Sequence, residues 1–225
     1  MLPNYFFDQD ACLLAQSLLG KVLCVKQEST WLYAKIIETE AYYLHDKASH
    51  SSLGFTEKRK ALFMPPGTLY MYYARGGDSL NISAEGEGNA VLIKSAYPYE
   101  AGENFSHMVE IMQRLNPHPT SHRVRSISKL CRGQTLLCKS LGLKVKDWSQ
   151  KEFVLNQFFI KDVNYHPEKI IQCKRLGIPE GRDEHFLYRF IDFSFREYCV
   201  SNPLKKRNAK IGEDYLIFNN KEVKS

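Results

Sequence analysis

Short hydrophobic runs separated by polar or glycine-rich turns fill most of the 225-residue chain. The first run has a helical period, because its apolar residues recur at three- and four-residue spacing over positions 8–20. Asp8 or Asp10 can cap this helix, and Gly20 can end it. Two strand-like runs follow, KVLCVK and WLYAKIIETE, and the turn-like QEST between them predicts a β-hairpin.

The rest of the chain continues this alternation of elements. Helices are predicted over 100–114 and 128–141. Further strands are predicted at TLYMYYA, LNIS, AVLIKSA, FVLNQFFI, KIIQCKRLGI and HFLYRFIDF. The early hairpins favour antiparallel pairing. We therefore expect an α+β fold with a single domain over 1–225, built on a mostly antiparallel curved sheet flanked by helices. Its core would span about 8–201, followed by a polar, basic tail at 202–225.

Charge adds one indication of a partner. The chain has 31 basic and 25 acidic residues, which gives a formal net charge of +6. This balance suits a polyanion such as nucleic acid. It fits equally a solvated basic surface without any partner, so charge alone does not decide between the two interpretations.

The cysteines and histidines argue against a metal site. None of the six cysteines forms a C-x-x-C pair, and no H-E-x-x-H motif is present. His118 and His122 have helical spacing, but Pro117 and Pro119 interrupt any helix that would present both. We therefore expect no metal and no cofactor. The chain opens without a leader-like segment and has no apolar stretch of membrane-spanning length, so a reduced, cytosolic protein is expected.

The segment IIETEAYYLHDKASHSS carries the most suggestive polar residues. In a strand, Glu38, Glu40 and Tyr42 would share one face. Two partly buried carboxylates on one face would repel and raise at least one pKa, as a general acid or base requires. The alternative is a strand end that emerges into water with both carboxylates solvated, and spacing alone favours that alternative.

Neighbouring rings are ambiguous when each is taken alone. His50 has the character of an ordinary hydrogen-bonded histidine, and Tyr70, Tyr72 and Tyr73 fit sheet packing as well as a ligand platform.

The order of several segments changes this assessment. Seven segments carry this order: IIETEAY, ASHSS, RKALFMPPGTLYMYY, LNIS, GNAVLIKS, SKLCRGQTLLCKSLGL and YRF. They follow one another as they do in the alkyladenine (3-methyladenine) DNA glycosylase family, which this chain resembles over about 14–201. The resemblance implies a base-excision enzyme for double-stranded DNA. Such an enzyme flips an alkylated purine, for example 3-methyladenine or 7-methylguanine, out of the duplex. It then hydrolyses the N-glycosidic bond and leaves an abasic site.

The resemblance also implies roles for particular residues. Glu40 matches the catalytic glutamate that activates a water. Tyr42, His50 and Tyr72 fall where the family has its base-pocket side chains, and Asn81 falls at the pocket entrance. Electron-rich tyrosine faces would favour a methylated, positively charged purine by about 0.5–2 kcal/mol each.

Two positions depart from the family pattern. A large aromatic usually follows the LYMY strand and enters the minor groove, whereas this chain has Arg75 before Gly76. We expect Arg75 or Tyr73 to take that DNA-binding role. Lys94 stands where the family usually has an arginine near the water and the DNA backbone phosphate, and it keeps the charge without the bidentate geometry.

Two other functions stay open at this point. A non-catalytic DNA-binding relative of the same fold would share the basic face and the pocket. A deaminase-like base-modifying enzyme is disfavoured by the missing metal ligands. We expect the glycosylase to be a monomer that releases the base without nicking the strand. Its location would be cytoplasmic, on a bacterial nucleoid, or nuclear in a eukaryote.

Overall fold

The first elements follow the predicted pattern. The computed structural model describes residues 1–74, 76–101, 104–120 and 123–220. Helix α1 spans Ala11–Ser17, and the Asp10 carboxylate caps it by accepting hydrogen bonds from the backbone N–H groups of Cys12 and Leu13. Strands β1 (Val22–Gln27) and β2 (Thr30–Tyr42) then form the predicted hairpin.

The remaining helices lie mostly in the second half of the chain: α2 (Phe105–Leu115), α3 (Ile127–Leu130), α4 (Gln134–Leu141) and α5 (Val145–Trp148). Short 3-10 helices occupy Asn4–Phe7, Ser51–Leu53, Glu57–Phe63, Phe193–Tyr198 and Pro203–Lys205. The strands within the described residues are β1 (Val22–Gln27), β2 (Thr30–Tyr42), β3 (Leu69–Ala74), β4 (Gly77–Ser83), β5 (Ala90–Pro98), β6 (Phe158–Lys161), β7 (Lys169–Cys173), β8 (Arg189–Asp192) and β9 (Tyr215–Asn219).

All of these strands join one sheet. Its order is β3-β4-β5-β2-β8-β7-β9, and β1 pairs with both β2 and β6. Every pairing between these strands is antiparallel. The predicted α+β fold with a mostly antiparallel sheet is therefore confirmed.

Strand β2 is the centre of this sheet. It is 13 residues long and pairs with β1 along its first half and with β5 and β8 further on. The register against β5 shifts on both sides of Glu38, which marks a bulge in the ladder. Because β5 and β8 flank its second half, the side chains of Glu38 and Glu40 are enclosed by neighbouring strands.

The helices cover the main hydrophobic core. Helix α2 buries Met108, Val109, Ile111 and Met112, the apolar face of an amphipathic helix. Helix α4 buries residues that pack against the same core, including Leu137 and Leu141. Within the described ranges, no helix is both long and apolar enough to cross a membrane.

The second predicted helix differs from the structure. The span 128–141 forms two helices, α3 and α4, because Gly133 between them adopts a φ of +94°. That backbone conformation favours glycine and interrupts the helical hydrogen bonds. As a result, the first turn of α4 lines the cavity that is described in the next subsection.

The chain after 201 also differs from the expected polar tail. Residues Tyr215–Asn219 form strand β9, which pairs antiparallel with β7. Three of its four apolar residues are half-buried, and Tyr215 and Ile217 pack beside Ile171 and Cys173.

Candidate active site

The ends of several elements surround a cavity of about 570 Å³. This size falls within the roughly 300–1,000 Å³ that is typical of small-molecule sites. Strands β2 to β5, the segment that follows β2, the start of α4 and the segment after β7 all contribute to its wall. The lining side chains that matter most below are Tyr42, His50, Tyr70, Tyr72, Asn81, Lys94, Arg132, Leu176 and Ile178.

Glu40 lies directly behind this wall. Its side chain is fully buried. The Tyr42 hydroxyl donates to its Oε2 at 2.8 Å, and the Lys94 Nζ lies 3.3 Å from its Oε1. The backbone N–H of Leu176 donates to Oε1 at 3.5 Å. All three of these partners line the cavity, so the carboxylate is one side chain away from whatever the cavity holds.

The pKa of Glu40 is shifted in the direction opposite to the increase expected for at least one of the two glutamates. Burial alone would raise the pKa of Glu40, but the positive charges of Lys94 and Arg189 and the hydrogen bond from Tyr42 lower it below its ordinary value. The expected increase through repulsion from Glu38 is therefore wrong for this residue, since nearby cations outweigh it. Glu40 is a carboxylate at neutral pH, which is the form that accepts a proton.

Tyr42 stays protonated beside it. Burial and the negative charge of Glu40 hold the pKa of the Tyr42 phenol well above its usual value. The hydroxyl is therefore a permanent donor to Glu40.

Glu38 has a different environment. Its Oε1 receives the Arg189 side chain through Nε and Nη2, both at 2.6 Å, and the Ser95 hydroxyl donates to its Oε2 at 2.5 Å. The Val200 N–H adds a fourth contact at 3.3 Å. Glu38 and Arg189 are both essentially inaccessible to solvent. A strand end that emerges into water is therefore wrong for both carboxylates.

The rings of the pocket contact one another. The His50 Nδ1 lies 2.9 Å from the Tyr70 hydroxyl, and the His50 ring centroid lies 4.5 Å from that of Tyr72 in an edge-on arrangement. Desolvation, together with the positive charges of Arg59 and Arg182, lowers the pKa of His50. Burial raises the pKa of Tyr70 to about 12. At neutral pH both groups are uncharged.

The remaining predicted site residues separate into three groups. Asn81 lines the cavity, and its Nδ2 donates to the Tyr70 carbonyl at 3.1 Å. Lys94 is 8% exposed and points to Glu40. Tyr73 is 68% exposed on β3 and does not line the cavity. Arg75 lies outside the described residues.

Sequence reasoning missed several partners. Arg175 packs against Tyr42 and pairs with Asp46, Arg189 pairs with Glu38, and Arg132 lines the cavity. YRF belongs to the family pattern and contains Arg189, but nothing local shows that its partner lies on β2. In the ranges that the structure describes, no group of three or more His, Cys, Asp and Glu residues is arranged to hold a metal ion.

With this geometry in place, the comparison with known families is decisive for the class of protein. The family model described as methylpurine-DNA glycosylase matches residues 5–194, which is most of the chain. This chain therefore belongs to the methylpurine-DNA glycosylase family, whose name places it among DNA repair glycosylases.

Individual relatives agree with this family assignment. A protein of Pseudomonas aeruginosa strain UCBPP-PA14, provisionally named a 3-methyladenine DNA glycosylase, is 54% identical over 221 residues, or 98% of this chain and 92% of its own. A protein of Pseudomonas savastanoi pv. phaseolicola with the same provisional name is 54% identical over 96% of each chain. The human DNA-3-methyladenine glycosylase is 35% identical over 156 residues, covering 68% of this chain and 51% of the human protein.

Proposed function

We propose that this protein excises alkylated purines such as 3-methyladenine and 7-methylguanine from double-stranded DNA by hydrolysis. The observation that carries the proposal is the ionised, fully buried Glu40, which contacts three residues of an aromatic cavity. A non-catalytic DNA-binding relative would have no need for a buried anion beside the site where a polyanion docks, because that anion opposes binding.

The cavity has the properties that an everted purine requires. Tyr42, Tyr72 and His50 offer flat faces and edges, and stacking of a flipped base contributes on the order of 1–3 kcal/mol per base. Asn81 adds a polar side chain to the same wall. His50 is neutral, so it accepts or donates one hydrogen bond without repelling a cationic base.

In the proposed hydrolysis, a water from the cavity enters between the side chains of Tyr42 and Lys94 and contacts the Glu40 carboxylate directly. The water oxygen attacks C1′ of the sugar, and Glu40 takes its proton. The bonding electrons of the N-glycosidic bond leave with the purine, which neutralises the positive charge of a methylated base. The carboxylate also stabilises the positive charge that develops on the sugar. The products are the free base and an abasic site, and the strand stays intact.

Lys94 has two functions in this proposal. Its charge keeps Glu40 ionised, and its place on the cavity wall allows it to hold the water or a backbone phosphate. Because it is a point charge, it does this without the two-point geometry of an arginine.

The function is tested with duplex DNA that contains 7-methylguanine or 3-methyladenine, in the presence of EDTA. We expect free base to appear by chromatography, and strand breaks to appear only after alkali or an added lyase. The Glu40→Gln protein should bind the same duplex and release no base. Base release that depends on a metal, or nicking without any treatment, would refute the proposed hydrolysis.

The residue that fills the gap in the duplex is tested separately. Tyr73 is exposed on β3, and Arg75 follows two residues later in the sequence. We propose that one of them enters the minor groove. Tyr73→Ala and Arg75→Ala should each be assayed on duplex and single-stranded substrate. The wedge is the residue whose loss slows excision from the duplex much more than from the single strand, and equal losses on both substrates would refute its assignment.

A further inference from the structure

A buried cation packs behind one wall of the cavity. The side chain of Arg175 is fully buried and does not line the cavity. Its guanidinium carbon lies 4.6 Å from the centroid of the Tyr42 ring, which does line it. The guanidinium also lies 5.3 Å from the centroid of the Tyr188 ring. Because Tyr42 lines the cavity and Arg175 does not, the Tyr42 ring separates the guanidinium from a base in the cavity.

The cation is fixed in this position by Asp46. The Arg175 Nη2 donates to the Asp46 Oδ1 at 3.0 Å, and its Nη1 contacts Oδ2. Nη1 also donates to the Ala41 carbonyl at 3.1 Å. Asp46 is as completely buried as Arg175. Burial by itself would lower the pKa of Arg175, and Asp46, Tyr42 and Glu40 together raise it, so the charge persists.

This pair joins three parts of the cavity wall. Asp46 precedes the lining segment 48–50, Arg175 precedes the lining segment 176–178, and Tyr42 ends strand β2. Leu176, the residue after Arg175, also donates its N–H to Glu40. Movement of Arg175 would therefore disturb the base pocket and the contact to the carboxylate together.

The charge has a second consequence, which concerns the ligand. An aromatic face attracts a cation through the negative potential above the ring. A cation already seated on one face draws that electron density toward itself and repels a second cation across the ring. Asp46 pairs with Arg175 and offsets part of this repulsion. A neutral purine stacks on Tyr42 with little sensitivity to this charge.

We propose that Arg175 is a positioning residue that also sets specificity. Held by Asp46, it limits the advantage that a positively charged purine has over a neutral purine of the same shape. This inference rests on the proposed function, because it assumes that the cavity receives an everted purine.

The test is a binding measurement with two duplexes that differ only in the charge of one base. One carries 2′-fluoro-7-methylguanosine, which is cationic and resists hydrolysis. The other carries 2′-fluoro-7-methyl-7-deazaguanosine, its neutral isostere. The measured quantity is the ratio of Kd for the neutral duplex to Kd for the cationic duplex, so a higher ratio means a stronger preference for charge.

Three variants give different expected ratios. In Arg175→Gln with Asp46→Asn, both charges are removed and the ratio should rise about threefold or more. In Asp46→Asn alone, the arginine loses its compensating anion and the ratio should fall by a similar factor. Arg175→Lys keeps the charge and loses the bidentate geometry, so both affinities should weaken while the ratio stays near that of the unmodified protein.

The double variant and Asp46→Asn alone should change the Kd ratio in opposite directions, and this difference separates the proposal from a purely structural role. A structural role would weaken binding of both duplexes and leave the ratio unchanged in every variant, and that result would overturn the proposal. Thermal unfolding establishes which variants are folded. Either of the two variants that contain Asp46→Asn is sufficient by itself to decide between the proposal and a structural role. If the unmodified protein binds neither duplex better than an undamaged one, the proposed function itself fails, which is a distinct outcome.

Discussion

Glu38 and Glu40 lie two residues apart on one strand, and both are fully buried, yet their surroundings differ. Glu38 is held by two nitrogens of one arginine, a serine hydroxyl and a backbone N–H. Glu40 is held by a tyrosine hydroxyl, a lysine and a long backbone contact, and all of these donors line the cavity. A carboxylate saturated by a rigid guanidinium stabilises the fold, whereas a carboxylate whose partners line a cavity is available for chemistry.

The largest predicted effect on the excision rate comes from substitution of Glu40. Glu40→Gln keeps the shape and the contact with Tyr42 but removes the proton acceptor. Because a general base contributes about 10²–10⁴-fold, single-turnover excision of 7-methylguanine should fall by at least that factor. Affinity for the damaged duplex should be kept or improved, since a negative charge near DNA is lost. Excision within tenfold of the unmodified rate would contradict a catalytic role for Glu40.

The matched change at the other carboxylate should act on stability. Arg189→Met removes one partner of a buried ion pair and leaves Glu38 uncompensated. The free energy of unfolding, measured by urea titration, should fall by about 3–5 kcal/mol. Glu38→Gln should recover part of that loss in the double variant. If Arg189→Met instead left stability unchanged and abolished excision, the division between the two carboxylates would be wrong.

The pH dependence of excision should reveal how Lys94 acts on Glu40. The pKa of Glu40 in the folded protein is lowered, so its charge persists as pH falls, until pH drops below the ordinary glutamate value of about 4.3. Lys94→Gln removes the positive charge that lowers the pKa of Glu40 most. Burial then dominates, so the pKa of Glu40 should rise. The acid limb of the single-turnover rate should then move to higher pH, and the rate at neutral pH should fall about tenfold or more.

Lys94→Arg is the matched control, since it restores the charge. It should keep the acid limb near that of the unmodified protein. An acid limb at the same pH in Lys94→Gln and Lys94→Arg would show that Lys94 does not control the charge of Glu40.

The two carboxylates also show what the sequence could predict. The β1–β2 hairpin and the placement of Glu38 and Glu40 on β2 follow from local alternation, and both are confirmed. Which carboxylate borders the cavity is not a local property. Arg189 pairs with Glu38 across 151 positions, and Arg175 reaches Asp46 across 129. Among the sequence features, only the resemblance to a known family distinguishes Glu40 from Glu38.

Local sequence patterns gave the wrong result for the helix at 128–141 and gave no prediction for strand β9. The spacing of Leu130, Leu137 and Leu141 fits a single helix, but Gly133 divides it, and this break brings the start of α4 to the cavity wall. Strand β9 was not predicted, because a run of four apolar residues in a polar segment carries little signal, and pairing with β7 stabilises it.

The smallest predicted effect tests whether the two carboxylates are coupled. Ser95 donates its hydroxyl to Glu38 and accepts a hydrogen bond from the backbone N–H of Gly133 at 3.0 Å. Gly133 lines the cavity, so Ser95 is a route from the stabilising carboxylate to the site. Ser95→Ala should cost about 1.5 kcal/mol of unfolding free energy, the value of a hydrogen bond to a charged group. Excision should slow by only a few-fold, because Glu40 keeps all of its own partners. A loss of excision as large as that of Glu40→Gln, with stability unchanged, would mean that Glu38 acts in the chemistry through this serine.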